Sequence, residues 1–197
     1  MKKKAFLGVD PGLKGGYALV DYNLKIIDCG VFPFKSTIFD SRKFASILNK
    51  HLKYYEIFAS FEFVAAMPGQ GVCAMFTFGK ITGELISVLK VLSIPYIEPK
   101  PLAWKSVVLA GMPWKANYTR WKADKSWSEE ELVAKKKAHN SIKNKAKKIA
   151  KAVSCKYVAQ QYPELDISFG KKDPHDGIAD AICLAQYAFF FKAGKTK

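Results

Sequence analysis

The sequence predicts an α/β protein built on one five-stranded mixed sheet flanked by helices. The chain opens with three short apolar runs separated by turn residues, which is typical of an antiparallel meander. Later a strand, a long helix and another strand follow one another, which is typical of a parallel crossover. The 197 residues, 49% of them hydrophobic, suffice for one sizeable core. We therefore expect a single domain over residues 1–197.

Short runs of apolar, β-branched and aromatic residues predict five strands, at residues 5–9, 17–22, 25–32, 56–64 and 94–98. Apolar residues at helical spacing predict helices over residues 41–53 and 72–92. In the second of these helices, Gly79 and Gly83 provide a notch for close packing. A shorter helix begins at Pro101 and contains Trp104 and Lys105.

Two later segments differ from the rest of the chain. Residues 111–127 lose periodicity and interleave tryptophans with lysine and arginine, so we expect an exposed insertion there. Trp121 in this insertion either stacks on unpaired DNA bases or packs as part of a lid on the body. Ser128 and Glu131 form the sequence pattern of a capping box and predict the start of a long helix.

The long helix is expected to have two faces. The predicted apolar face consists of Ile142, Ala146, Ile149 and Val153, and the predicted basic face consists of Lys136, Lys143, Lys147 and Lys151. Such a basic row is often only a solvated surface, and DNA contact is the alternative. A last helix runs to Phe191, with Asp173 as its expected N-cap and Pro174 in its first position.

Charge and cysteine usage limit the classes of function. The 32 Lys and Arg exceed the 17 Asp and Glu by 15, which favours a polyanionic partner such as nucleic acid or an anionic membrane, or reflects a merely soluble basic protein. The four cysteines have neither zinc-site spacing nor a disulfide pattern, so we expect buried thiols in a reducing compartment. No signal peptide and no membrane-spanning run is predicted, so we expect a soluble intracellular protein.

Four carboxylates stand out at the ends of apolar elements: Asp10, Glu62, Asp176 and Asp180. Asp10 has an ordinary alternative role in a hairpin turn, and Asp176 has one as a first-turn helix carboxylate. If the strands of Asp10 and Glu62 are neighbours, a helix packed across the sheet brings the other two acids close. Like charges so close need a cation. Two Mg2+ or Mn2+ ions on such ligands suit hydrolysis of a phosphodiester.

An ordered set of motifs resembles one family closely. The motifs are Gly-Val-Asp10-Pro-Gly, Phe61-Glu62, Met67-Pro-Gly-Gln-Gly-Val, Phe76-Thr-Phe-Gly79, Ile94-Pro-Tyr, Pro101-Leu-Ala-Trp-Lys105 and Asp176-Gly-Ile-Ala-Asp180-Ala. Together they resemble the RuvC-type Holliday-junction resolvases of the ribonuclease-H-like superfamily, and the phage, viral and organellar branch more than the cellular bacterial one. The resemblance covers most of the chain in the right order.

The resemblance implies a ribonuclease-H-like fold and a homodimer that nicks four-way DNA junctions symmetrically. It implies that Asp10 bridges two metal ions, that Glu62 holds one, and that Asp176 and Asp180 complete the set. His175 is the alternative to Asp176 as fourth ligand. Lys105 matches a family lysine near the scissile strand. The expected DNA contacts are Lys14, Lys105, Trp121, Lys143 and Lys147, and the candidate dimer interface is the helix at residues 72–92.

Two other functions remain open on the sequence. The same fold also suits a nuclease for RNA in RNA–DNA hybrids, or for flaps and replication forks. The basic charge alone would suffice for a catalytically silent DNA-binding protein. We expect location in the cytoplasm for a microbial or phage protein, and in the nucleus, a DNA-containing organelle or a viral factory otherwise.

Overall fold

The computed structural model describes residues 2–65, 69, 71–124, 126–168 and 172–196, with Lys151 described by its place in a helix and not by its side chain. The chain break expected at residues 67–71 therefore lies outside the described residues except at Gly69 and Gly71. Most of the polar loop expected at residues 168–172 and the Lys125 position of the insertion lie outside them as well.

Seven strands and six helices form in the described residues. The strands are β1 (Lys3–Asp10), β2 (Gly16–Asp21), β3 (Ile26–Val31), β4 (Phe34–Lys35), β5 (Ile38–Phe39), β6 (Tyr55–Phe61) and β7 (Tyr96–Ile97). The helices are α1 (Ser41–Leu52), α2 (Val72–Val91), α3 (Pro101–Val108), α4 (Glu129–Lys151), α5 (Val153–Gln161) and α6 (Asp176–Lys192).

The main sheet is the predicted five-stranded mixed sheet, in the order β3-β2-β1-β6-β7. The first three strands pair antiparallel as a meander, and β1 pairs parallel with β6, which pairs parallel with β7. The predicted crossover from β6 through α2 to β7 is thereby confirmed. The separate two-stranded hairpin of β4 and β5 was not predicted, since two residues per strand give no readable alternation.

Alternating residues of β1 cover the two faces of the sheet. Ala5, Leu7 and Val9 point into a core shared with α1 and α2, whose buried side chains there are Phe44, Leu48, Ile81, Leu85, Val88 and Leu89. Phe6 and Gly8 face α6, which lies directly on the opposite side of β1 and β2. Helices α3 and α5 pack against α6. The sheet is therefore covered on both faces, and its carboxyl edge carries the candidate site.

Two predicted boundaries are wrong for reasons of hydrogen bonding. Strand β6 ends at Phe61 and does not reach Val64, because its neighbour β1 ends at Asp10, where Pro11 lacks an amide hydrogen for further pairing. The last helix begins at Asp176 rather than Pro174. His175, and not Asp173, is its N-cap: His175 Nδ1 accepts a hydrogen bond from the Ile178 amide at 3.3 Å.

The predicted long helix is broken, and its predicted apolar face is wrong. It is divided at Ala152 into α4 and α5. Ile142 and Ile149 are 60% and 57% exposed, whereas Val153, beyond the break, is 1% exposed. Core packing therefore begins at α5, and α4 does not enter the core although its sequence is periodic.

The cysteine expectation holds only in part. Cys183 is buried, Cys29 and Cys155 are half-buried, and Cys73 is exposed. Helix α2 also differs from expectation, since its length and composition alone would allow it to cross a membrane. A single helix of this kind is weak evidence of a span, and four of its apolar residues pack in the core described above.

Candidate active site

Asp10 and Glu62 lie side by side at the carboxyl ends of the two central parallel strands. Val9 is opposite Phe61 in the β1–β6 register, and the Glu62 amide donates to the Val9 carbonyl oxygen at 3.0 Å. In open α/β sheets this edge is where ligands bind. The sequence prediction that the two acids are neighbours is therefore confirmed.

Glycines let α6 approach the sheet at backbone distance. A side chain at Gly8 would overlap the Ala181 carbonyl oxygen and the Ala185 amide nitrogen. At the start of the helix, Gly177 forms an isolated parallel bridge with Gly15, and a side chain at Gly177 would overlap the Lys14 carbonyl oxygen. These contacts fix the first two turns of α6, which carry Asp176 and Asp180, against the end of β1.

All four predicted acids are half-buried and meet around Asp10. Burial raises the pKa of Asp10 well above its usual range, and the neighbouring Glu62, Asp180 and Asp176 carboxylates raise this pKa further. The Lys105 ammonium lowers the pKa of Asp10, but it does not outweigh the other effects. The fold therefore concentrates negative charge at one edge of a protein whose net charge is +15.

Trp104 and Lys105 hold and partly balance Glu62. Burial raises the pKa of Glu62, a hydrogen bond from Trp104 lowers it, Asp180 raises it and Lys105 lowers it, with a net increase. The fully buried Trp104 donates from Nε1 to Glu62 Oε1 at 2.9 Å. Lys105 Nζ lies 4.8 Å from the centre of the Trp104 ring. Lys105 therefore lies close enough to Asp10 and Glu62 to lower the pKa of both, and its expected position near a scissile strand stays a prediction.

Sequence reasoning assigned Trp104 only to a helix and missed its contact with Glu62. The two residues of this hydrogen bond are 42 positions apart in the sequence, so no local spacing pattern indicates it. The available signal was chemical: a buried indole needs an acceptor for its N–H group, and a buried carboxylate needs donors.

A cleft of about 710 Å3 opens beside three of the acids, Asp10, Asp176 and Asp180. One wall is the loop from Asp10 to Gly15, where Gly12 has φ +125° and faces the Phe78 ring. The opposite wall comes from α2 and consists mainly of Cys73, Ala74, Thr77, Phe78 and Ile81. One side of the cleft thus consists of backbone and carboxylate groups, and the other is largely apolar.

The donor chemistry fits a hard divalent cation, because four carboxylates supply only oxygen ligands. The raised pKa of Asp10 supports this fit, since a cation would favour the ionised form that the surroundings disfavour. Within the described residues, however, no three His, Cys, Asp or Glu side chains are arranged to hold a metal ion. The acids are close enough to interact electrostatically, but their side chains are not arranged as a complete set of metal ligands.

A smaller cavity of about 280 Å3 adjoins the acids on the side of His175. Lys14, one of the predicted DNA contacts, lines both cavities, and Lys172 lines the smaller one. Lys172 was missed because it lies in a loop with no motif around it. These two lysines place positive charge next to Asp176.

The remaining predicted DNA residues lie elsewhere, on α4 and the insertion packed against it. Trp121 contacts Trp127 and His139, with ring centres 5.8 and 5.2 Å apart. Lys143 Nζ lies 5.9 Å from the centre of the Tyr118 ring, and Lys147 is exposed. Trp121 is therefore packed within the chain, against α4.

Comparison with protein-family models and with curated proteins finds no match. Among solved structures, Thermus thermophilus RuvC in complex with a Holliday-junction substrate is similar, with 13% identity, a TM-score of 0.53 and 98% of each chain covered. A second Thermus thermophilus RuvC structure has 14% identity, a TM-score of 0.49 and the same coverage. Because the identity with the junction-bound structure is so low, the likeness concerns the fold. The chain has the ribonuclease-H-like fold of its RuvC neighbour, as the sequence predicted.

Proposed function

We propose that this protein is a metal-dependent endonuclease that hydrolyses phosphodiester bonds in branched DNA, four-way junctions above all. The observation that carries the proposal is the meeting of Asp10, Glu62, Asp176 and Asp180 at the carboxyl edge of the sheet, where the other three acids all raise the pKa of Asp10. The junction substrate bound by the RuvC neighbour supports the choice of branched DNA.

The four acids would hold Mg2+ or Mn2+, two ions per site, with His175 as the alternative to Asp176. When bound, such ions make water a better nucleophile at neutral pH and stabilise charge on the phosphate. Lys105 favours the ionised forms of Asp10 and Glu62 and offers positive charge to the phosphate. Trp104 orients Glu62 through its hydrogen bond.

The cleft suits a single nucleic-acid strand. One wall is the loop from Asp10 to Gly15, in which the two glycines are buried and the Leu13 and Lys14 side chains are exposed. Lys14 and Lys172 lie at the Asp176 end and would neutralise phosphates next to the reacting one. We assign the apolar wall of α2 to contact with sugars and bases of that strand.

A homodimer forms part of the proposal, because two symmetric cuts in a junction require two active sites. Helix α2 supports this part of it. Its outer side exposes Val72, Phe76 and Val91, at 84%, 76% and 82%, and no other described element fills the space beside Gly79 or Gly83. This side of α2 is the proposed contact between two copies.

Incubation of the purified protein with an immobile four-way junction tests the proposal. We expect cleavage with Mg2+ and none with EDTA. Asp180→Asn should reduce the cleavage rate at least about a hundredfold, since several kcal/mol of charge stabilisation depend on the ligand set. Junction affinity should stay within about threefold of the original.

Asp21→Asn is the matched control, because Asp21 is opposite Ala5 near the start of β1, whereas Asp10 at the site is opposite Gly16 at the other end of β2. Faster cleavage of an RNA–DNA hybrid than of the junction would favour the ribonuclease alternative. Unchanged cleavage by Asp180→Asn would remove this acid from the reaction, and binding without any cleavage would indicate a silent DNA-binding protein.

A further inference from the structure

We infer that the outer face of α4 is a second DNA-binding surface, which docks in the major groove of a duplex arm. This observed basic face shares only Lys136 with the predicted one. It consists of Lys136, Lys137, Asn140, Ser141, Asn144, Lys145 and Lys148, which line one shallow groove together with Val133. The inference rests on the proposed function only for the identity of the polymer as DNA, and it requires no cleavage.

The first argument is that α4 does not serve the core. None of its described side chains is buried, and the element it mainly contacts is the short helix α5. Ile142 and Ile149 are more than half exposed. A helix of 23 residues gains most of its stability from tertiary packing in ordinary proteins. Because α4 lies outside the core, other contacts must stabilise it, and it must serve a purpose other than core packing.

The support comes from the insertion, which packs against the side of α4 opposite the basic face. Trp121 contacts His139, and Lys135 Nζ lies 4.1 Å from the centre of the Trp127 ring. A capping box between Ser128 and Glu131 fixes the start of the helix. The aromatic side of α4 is thus occupied within the chain, and the basic face is presented outward on a braced helix.

Charge identifies the kind of partner. From Lys135 to Lys151 the sequence has eight lysines and no acid, whereas the three acids of α4 are all in its first turn. At about 1.5 Å per residue the stretch is about 25 Å long, which matches several base pairs of a duplex. The exposed lysines suit phosphates, and Asn140 and Asn144, one helical turn apart, suit hydrogen bonds to base edges.

Shape favours DNA over the other polyanions. The major groove of B-form DNA is wide enough for an α-helix, whereas the major groove of A-form RNA is too narrow. A membrane-surface helix would oppose its lysines with a continuous row of large apolar residues. Here the opposite side is packed against the insertion at Lys135 and His139, and the basic face itself includes only one large apolar side chain, Val133.

Fluorescence anisotropy with a linear DNA duplex tests the inference, in EDTA so that cleavage plays no part. The triple variant K136A/K137A/K148A should bind the duplex at least about tenfold more weakly, and its slope of log affinity against log salt should decrease by about 2 to 3. Alanine is a strong helix former and these side chains are exposed, so α4 should remain folded.

The matched control is K43A/K50A/K53A, which removes three exposed lysines of α1 and its end and changes the net charge equally. It should change duplex affinity less than about threefold. An equal loss in both variants would overturn the inference, because it would indicate charge alone. Equal affinity of the original protein for an RNA duplex, or a preference for anionic vesicles, would overturn it as well.

These outcomes separate the inference from the proposed function. If the protein binds duplex through the basic face but cuts no branched DNA, the DNA-binding surface stands and the nuclease assignment is wrong. If the variant K136A/K137A/K148A cuts junctions normally and binds duplex with unchanged affinity, the nuclease assignment stands and the proposed DNA-binding surface is wrong.

Discussion

At the scale of single residues, the ionised form of Asp10 is disfavoured by burial and by repulsion from the neighbouring acids. Its carboxylate is surrounded by Glu62, Asp176 and Asp180, and Lys105 opposes them only in part. The folded protein therefore holds a proton on Asp10 more tightly than the unfolded chain does. By linkage, stability falls as pH rises from the usual Asp range through the raised pKa of Asp10, and the loss is complete above that pKa.

Asp10→Asn should consequently raise the melting temperature at neutral pH in EDTA, because it removes the buried charge and keeps the shape. The gain should shrink as pH falls toward the usual pKa of Asp, about 3.9, where the original side chain is neutral as well. Thermal unfolding followed by circular dichroism at a series of pH values measures both effects.

Asp40→Asn is the control, because the pKa of Asp40 is shifted in the opposite direction. The Lys43 amide lowers the pKa of Asp40, the N-cap of α1, so its ionised form is favoured in the folded state. This variant should not gain stability at neutral pH. A neutral-pH melting temperature of Asp10→Asn at or below the original would contradict the account of Asp10.

At the scale of elements, the site depends on how closely α6 lies on β1. Helix and strand meet at backbone distance through Gly8, and the bridge between Gly15 and Gly177 fixes the start of the helix. A displacement of α6 would move Asp176 and Asp180 away from Asp10 together. The geometry of the acids is thus set by packing several residues away from them.

Gly8→Ala should destabilise the protein by about 3 kcal/mol, since its methyl group would meet helix backbone that has no rotamer to change. Urea unfolding measures the loss, and junction cleavage should fall with it because two acids move. Gly71→Ala is the control: apart from its chain neighbours, no described residue lies within 4 Å of the added methyl group, and the change should not exceed about 1 kcal/mol. Equal stability of the two variants would contradict the packing argument.

Elements with a strong local pattern could be predicted from the sequence, and contacts distant in sequence could not. The meander, the crossover and α1 follow from alternation and helical spacing, and they place Asp10 beside Glu62. The hydrogen bond from Trp104 to Glu62 has no local signature. The exposure of Ile142 could not be predicted either, because periodicity describes a helix face without saying whether anything covers it.

At the scale of the whole molecule, two surfaces are unusual for a chain of this size. The outer side of α2 exposes large apolar residues, and the outer face of α4 exposes lysines and asparagines. An apolar surface suits a second copy of the chain, and a basic surface suits DNA. The two surfaces therefore predict different partners.

Phe76→Glu should convert the expected dimer into a monomer, because a charge at the centre of an apolar contact is not tolerated when buried. The monomer should remain folded, since the Phe76 side chain is 76% exposed in one copy and contributes little to its core. Light scattering coupled to size exclusion measures the mass. Tyr54→Glu, at a residue 69% exposed outside α2, should stay dimeric. A monomeric original protein, or a dimeric Phe76→Glu variant, would contradict the interface.

The break at Ala152 has a consequence for engineering. Upstream of it, α4 contributes no described side chain to the buried interior, whereas Val153, directly after it, is anchored there. The segment from residue 115 to Ala152 can therefore be exchanged as one cassette, with Val153 as the splice point, whereas Met112 and Trp114 of the insertion must stay because they pack against the core of the body. Under the proposed function, grafting such cassettes from related proteins would change which nucleic-acid shape is bound and would leave the four acids unchanged.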